Sequence, residues 1–165
     1  MTQDQDFERL FRKEFKDILP NTIWQNDDGV YEVFGKYHII PKKKKCHVLC
    51  YATEVGTFNS TRSALSWCIA DKYQKYTLAR EILAVDNALN LVVEDISIRA
   101  SVADLAKNPD FRENIATKLE TKIIRKKELE NQLAKCVSYA KYYQQRGFNN
   151  ETARTGRNQP NKTSR

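Results

Sequence analysis

The densest group of potential ligands and nucleophiles in this sequence is Cys46, His47 and Cys50, with His38 a few residues upstream. Thiolate and imidazole at short spacing are the materials of a tetrahedral zinc site or of a Cys/His dyad. The spacing argues against both. On a strand rising about 3.3 Å per residue, Cys46 and Cys50 lie roughly 13 Å apart, whereas zinc ligands sit about 2.0 to 2.3 Å from one ion. Cys68 and Cys136, the other two of four cysteines, stand alone. All four fall on apolar stripes or strand faces, where cysteine acts as a small hydrophobe. The neighbouring carboxylates Glu94 and Asp95, and Glu128 and Glu130, have Lys and Arg around them and read as solvated charge. Five glycines are scattered singly, so no loop is built to cradle phosphate. The expectation is a protein that is not an enzyme and needs neither cofactor nor metal.

Cations are the stronger chemical signal. The 165 residues carry a net charge of +7, which favours anionic partners such as nucleic acid, an acidic protein or anionic lipid, or else serves solubility alone. Lys42, Lys43, Lys44 and Lys45 fall in a turn after Pro41, where four ammonium groups reach a phosphate backbone without disturbing a core. Lys36 lies just before, and Lys118, Lys122, Arg125 and Lys126 form a basic strip along a long helix. Arg146, Arg154 and Arg157 continue the charge toward the C-terminus. Neutralising even a few phosphates makes binding fall steeply with salt. Basic and aromatic residues are not interleaved in order along these segments, so contacts that position rather than read sequence are expected. Tyr139, Tyr142 and Tyr143, near Lys141 and Arg146, either stack on bases or pack on a neighbouring helix.

The elements that must hold these residues follow from periodicity. The segment 110–146 contains no Gly or Pro, and Ile115, Leu119, Ile123, Leu129, Leu133, Cys136, Val137, Ala140 and Tyr143 recur mostly three or four apart. A helix of that length is roughly 55 Å long, so its stripe needs an equally long partner. The segment 61–107, equally free of Gly and Pro, supplies it: Leu65, Cys68, Ile69 and Tyr73 form one stripe, and Tyr76, Ala79, Leu83, Asp86, Leu89, Val92, Ile96, Ala100 and Ala103 a second. The polar stretch 70–75 marks a bend between two helices, although one continuous helix fits the pattern too. Asn108, Pro109 and Asp110 make the link, with Pro109 suited to the first position of the second long helix. Upstream, 6–19 reads as an amphipathic helix stopped by Pro20, either docking on a partner or membrane surface or packing on the sheet that follows.

Between them, 21–60 changes to strand-like alternation with Gly29 in a turn and Gly35 at a bulge or bend. The last strand runs into a helix capped by Asn59 or Ser60. The fold class expected is α+β, mainly α. It comprises an antiparallel β-meander of about three strands, a long antiparallel helical hairpin and a disordered basic C-terminal tail. The boundaries are 1–20 for the first helix, 21–74 for sheet plus helix, 75–147 for the hairpin and 148–165 for the tail, with Gly147 as a C-cap. The near-heptad stripe makes the hairpin a candidate interface for a protein partner or a second copy. No apolar run approaches a membrane span and the first residues are polar, so the expected location is the cytoplasm.

Two segments carry resemblances. Residues 55–68, VGTFNSTRSALSWC, resemble the third strand and helix entry of the three-stranded DNA-binding modules of plant ethylene-response-type factors and phage integrase arm-binding domains, through Gly56, Phe58, Asn59 and Ala64. The resemblance implies that the sheet face carrying Lys36, His38, Lys43 and Lys45 contacts nucleic acid. The chain departs from those families at Glu32, Val33, Ile39 and Ile40, which are acidic or apolar where they carry Arg and Trp. The chain as a whole, most strongly residues 140–156, AKYYQQRGFNNETARTG, resembles small uncharacterised proteins of large marine tailed phages, which implies a viral context and, as location, the host cytoplasm. The function expected is a small basic nucleic-acid-binding accessory protein; the alternative is a structural or adaptor protein working through the hairpin.

Overall fold

Apolar residues at every second position make strands that bury one face, and five of them follow one another here. In the computed structural model, which describes residues 23–25 and 28–157 and side chains over 28–147, the strands are β1 (Ile23–Gln25), β2 (Tyr31–Val33), β3 (Tyr37–Lys42), β4 (Lys45–Cys50) and β5 (Thr53–Phe58). Each pairs antiparallel with the next. The helix expected over 6–19 lies outside the described residues. Five strands replace the three or so expected because Gly35 makes a hairpin turn, not a bulge or bend within one strand, and because Ile23–Gln25 pairs with β2 as a further strand. Phe34 and Gly35 have φ of 58° and 65°, and the Lys36 amide donates to the Val33 carbonyl at 3.2 Å, the primed geometry that suits strand twist. The following turns adopt positive φ without glycine, at Lys43 (59°) and at Tyr51 and Ala52 (50° and 70°). The one register shift lies between Val48 and Leu49.

Tyr31, Val33, Tyr37, Ile39, Cys46, Val48 and Phe58 line the buried face of the sheet. Helix α1 (Thr61–Lys72) packs on it with Ala64, Leu65, Cys68 and Ile69, all fully buried. Ser60, not Asn59, caps α1: its Oγ accepts from the Ser63 amide at 3.1 Å. Asn59 turns away to Asp86. At the other end, the Gln74 amide donates to Asp71 and the Lys75 amide to Ala70, with Gln74 at φ 60°. This left-handed stop separates α1 from the next helix, so 61–107 is two helices, bent where the polar stretch indicated.

Helices α2 (Tyr76–Leu105) and α3 (Pro109–Arg157) form the hairpin. Asn108 Oδ1 accepts from the Asp110 amide at 2.9 Å and Pro109 occupies the first helical position. Nearest the sheet, Leu78, Ala79, Ile82 and Val85 meet Leu129, Leu133, Cys136, Val137 and Ala140, and these join the sheet and α1 in one core. Toward the tip burial thins to Ala106 and Ile115. Ile123, expected on the stripe, is 43% exposed.

The expected C-cap at Gly147 is corrected: α3 runs through Gly147 to Arg157, so 148–157 is helix where a disordered tail was expected, and 158–165 lies outside the described residues. Gly147 serves packing instead. A Cβ there would lie 2.7 Å from Cζ and 2.9 Å from Cδ1 of Tyr73, whose ring occupies the space a side chain would need. Among the described residues no helix is long and apolar enough to cross a membrane.

Candidate nucleic-acid interface

The structure separates the predicted basic residues into three groups. Lys42, Lys43, Lys44 and Lys45 form the exposed β3–β4 turn, beside Asn59 and Thr61 at the start of α1. No carboxylate among the described residues ion-pairs with them, although Lys42 and Lys45 act on Glu54 and Asp86 at longer range. The strip on α3 is largely neutralised within the hairpin: Lys122 pairs with Asp95 at 3.3 Å, Arg125 with Glu128 at 3.2 Å and Lys126 with Glu130 at 3.5 Å. Lys118 is exposed. Arg154 and Arg157 lie on helical backbone whose side chains are outside the described residues.

The third group gathers where α1 ends, which is also where its C-terminal dipole favours cations. Lys36 lies 3.9 Å from Asp71 and its ammonium sits 5.1 Å and 5.8 Å from the ring centroids of Tyr37 and Tyr51. Tyr37 donates its hydroxyl to Asp71; burial first, then that carboxylate, pushes the phenol pKa well above its ordinary value. Lys72 lies over Phe34 at 5.5 Å, and Phe34 meets Tyr73 edge-on at 6.2 Å. Lys75 lies over Tyr143 at 4.7 Å, Tyr143 meets Tyr142 at 5.4 Å, and Arg146 donates to the Tyr142 hydroxyl at 3.4 Å. Each close cation and ring face attract. Lys72, Lys75 and Arg146 have no carboxylate partner among the described residues, and Tyr51, Tyr76, Tyr139 and Tyr142 are all more than half exposed. The result is a basic and aromatic belt assembled from β2–β3, β4–β5, the α1–α2 link and α3.

Of this belt the sequence pointed only to Lys36, Arg146 and the tyrosines of α3. Lys72, Lys75, Tyr51 and Tyr76 were missed: the two lysines lie in a stretch that signals only a bend, Tyr51 reads as strand, and Tyr76, expected on the second stripe, is 55% exposed. The outer sheet face, which the DNA-binding resemblance implicates, presents Glu32, His38, Ile40, His47 and Leu49 between β2 and β4. His47 Nδ1 lies 2.6 Å from Glu54 Oε1, and this hydrogen bond above all holds the Glu54 carboxyl below its usual range. Lys36 and Lys43 sit in turns beyond that face. Cys46 faces inward and His47 outward, so the sheet separates the sulfur and imidazole that suggested zinc; Cys46 Sγ instead contacts the Thr61 hydroxyl at 3.6 Å. Among the described residues no three His, Cys, Asp or Glu side chains converge as metal ligands. No family model, curated protein or solved structure matches the chain, so any functional reading rests on this geometry.

Proposed function

We propose that this chain is a small nucleic-acid-binding accessory protein that grips phosphates and unpaired bases without reading sequence. The observation that carries this is the belt at the end of α1, where cations without carboxylate partners lie against tyrosine and phenylalanine rings and further tyrosines stand exposed. Backbone-tracking proteins combine these two ingredients, a positive path for phosphates and aromatic faces for bases. The lysine turn supplies a second, purely electrostatic contact at the opposite end of α1. The α3 strip contributes less, since Lys122, Arg125 and Lys126 are paired with Asp95, Glu128 and Glu130, which leaves Lys118 as its exposed cation.

Titration of the full chain with labelled single- and double-stranded DNA and RNA across roughly 50 to 300 mM salt tests the reading. Binding that weakens steeply with salt is expected. The slope should become shallower when Lys72, Lys75 and Arg146 are changed to Ser, and again when Lys42, Lys43, Lys44 and Lys45 are. Absence of binding to every probe at the lowest salt overturns it.

A specific observation favours a second reading, a structural protein that self-associates. Leu91, Ile98 and Leu105 recur seven apart on α2 and are 65%, 63% and 81% exposed, with Val102, Phe111 and Ile124 also in water at the tip. Apolar residues at seven-residue spacing form one of the two rows of a coiled-coil seam, and a second copy of this hairpin presents the same row.

A further inference from the structure

Between the α1–α2 link and α3 lies an open groove of about 360 Å³, within the size of small-ligand clefts, roughly 300 to 1,000 Å³. Lys75, Tyr76 and Thr77 form one wall; Tyr139 and Tyr143 form the other, and Glu81 also lines it. Tyr76 and Tyr139 are 55% and 57% exposed, so each ring offers a face to a ligand. Tyr143 is held in place by the core and by Lys75. At the rim α2 begins with Lys75, which makes no side-chain capping bond, and with no acidic residue in its first turn. The amides there lack the side-chain acceptor that usually serves them. Glu81 accepts from Gln132 Nε2 at 3.2 Å and lies by Cys136, whose thiol is raised to about 11 by burial and by that carboxylate.

Aromatic faces, a cation beside them and one acidic acceptor form a chemically mixed set. A planar ring stacks on tyrosine; a phosphate meets the Lys75 ammonium and the uncapped amides; a carboxylate accepts from a ring amino group. We infer that this groove binds one unpaired nucleobase of a single strand, together with its adjoining phosphate. The inference rests on the nucleic-acid reading above and narrows it to single strands. In a duplex the base faces are already stacked and the amino edges paired, so a duplex offers the groove only phosphates. A free nucleotide carries the same base and phosphate, but without the neighbouring phosphates that Arg146 and Lys72 would meet along the belt.

The test uses the full chain and labelled oligonucleotides of about 12 units, single-stranded and as blunt duplex. Three variants at exposed positions are compared: Tyr76→Ala, Tyr139→Ala and Tyr139→Phe. Each alanine is expected to weaken single-strand binding by about 5- to 150-fold, the loss typical for one stacked base. The salt slope should stay unchanged, since no charge is removed. Tyr139→Phe keeps the ring and should keep the affinity; duplex binding should not respond to any of the three. Normal single-strand affinity in both alanine variants, with steep salt dependence intact, overturns the groove assignment and leaves the phosphate-gripping reading standing. Equal losses on duplex overturn it too, as does complete displacement of the strand by a free nucleoside monophosphate at comparable concentration. Failure of every probe to bind at low salt removes the nucleic-acid reading itself.

Discussion

Replacing Gly147 by Ala tests whether α3 continues through this position against Tyr73. In the interior of an ordinary helix the change stabilises, because Gly is about 0.8 to 1.0 kcal/mol less favourable than Ala. Here the new methyl would lie 2.7 Å from Tyr73 Cζ and 2.9 Å from Cδ1, where carbon atoms rest at about 3.5 to 4.0 Å. The nearest ring atom, Cε1, lies closer still, so the ring must retreat by about 1.5 Å. It is poorly placed to do so, since it follows directly on α1, packs on the core and meets Phe34 edge-on at 6.2 Å. Overpacking of this kind costs about 1 to 3 kcal/mol, so Gly147→Ala should destabilise by up to about 2 kcal/mol once the helix gain is deducted. In a Tyr73→Ala background the obstacle is gone and the same change should stabilise by about 1 kcal/mol. Urea denaturation followed by helical circular dichroism on the four proteins gives the coupling directly, expected at about 1 to 3 kcal/mol. Equal stabilisation in both backgrounds would refute the Tyr73–Gly147 contact, and would return Gly147 to a purely local role.

Asp86, 1% exposed, accepts from the amide and side-chain nitrogen of Asn59, each at 3.0 Å, and so ties the β5–α1 junction to α2. Asp86→Ala strands the Asn59 amide, while Asn59 Nδ2 keeps the backbone carbonyl of residue 86 at 3.0 Å. The change should cost about 1 to 3 kcal/mol, whereas Asp86→Asn keeps an acceptor and should cost less; a loss under about 0.5 kcal/mol for the alanine in chemical denaturation contradicts the role. Burial, opposed by Ser63, Asn59 and Lys45, leaves the Asp86 carboxyl with a raised pKa. A group bound more tightly to its proton in the folded state favours folding at low pH, so wild type should lose stability relative to Asp86→Asn as pH rises from about 4. The opposite trend in the difference between the two would disprove the assignment. For the hairpin tip, Ile98→Glu should leave the fold intact because the side chain is already exposed, and should dissolve any dimer seen by sedimentation. A dimer unaffected by it, or a monomer in wild type at high concentration, rules out the Leu91, Ile98 and Leu105 row.

The hairpin and its link were legible because their signals are local: stripes at helical spacing, and Asn108 before Pro109. The hairpin turns of the sheet were less so. The turn at 42–45 follows from Pro41 and the lysine run, but Tyr51 and Ala52 take positive φ without the Gly or Asn that announces it, and Gly35 reads as a bulge or bend because Phe34 beside it carries no turn signal. The basic strip illustrates the same limit. The pairing of Lys126 with Glu130 follows from four-residue spacing, but the pairing of Lys122 with Asp95 crosses the hairpin, and no spacing rule reports it. The charge of Lys122, which looks available along α3, is spent on α2.

Gly147 shows how one such long-range contact builds the candidate site. Tyr139, Tyr143 and Gly147 are four apart and share one face of α3. Whatever fixes the rotation of α3 at Gly147 therefore fixes where both tyrosines point. The Tyr73 ring provides that constraint, because it approaches closely only where the helix has no side chain. With Tyr73 seated on Gly147, Tyr143 comes under Lys75 and Tyr139 reaches the groove wall opposite Tyr76. A residue that the sequence suggested as a helix end thus acts as the pivot that turns two tyrosines toward the α1–α2 link, which itself read only as a bend. The groove is accordingly a property of the junction between these segments, and neither segment carries a motif for it.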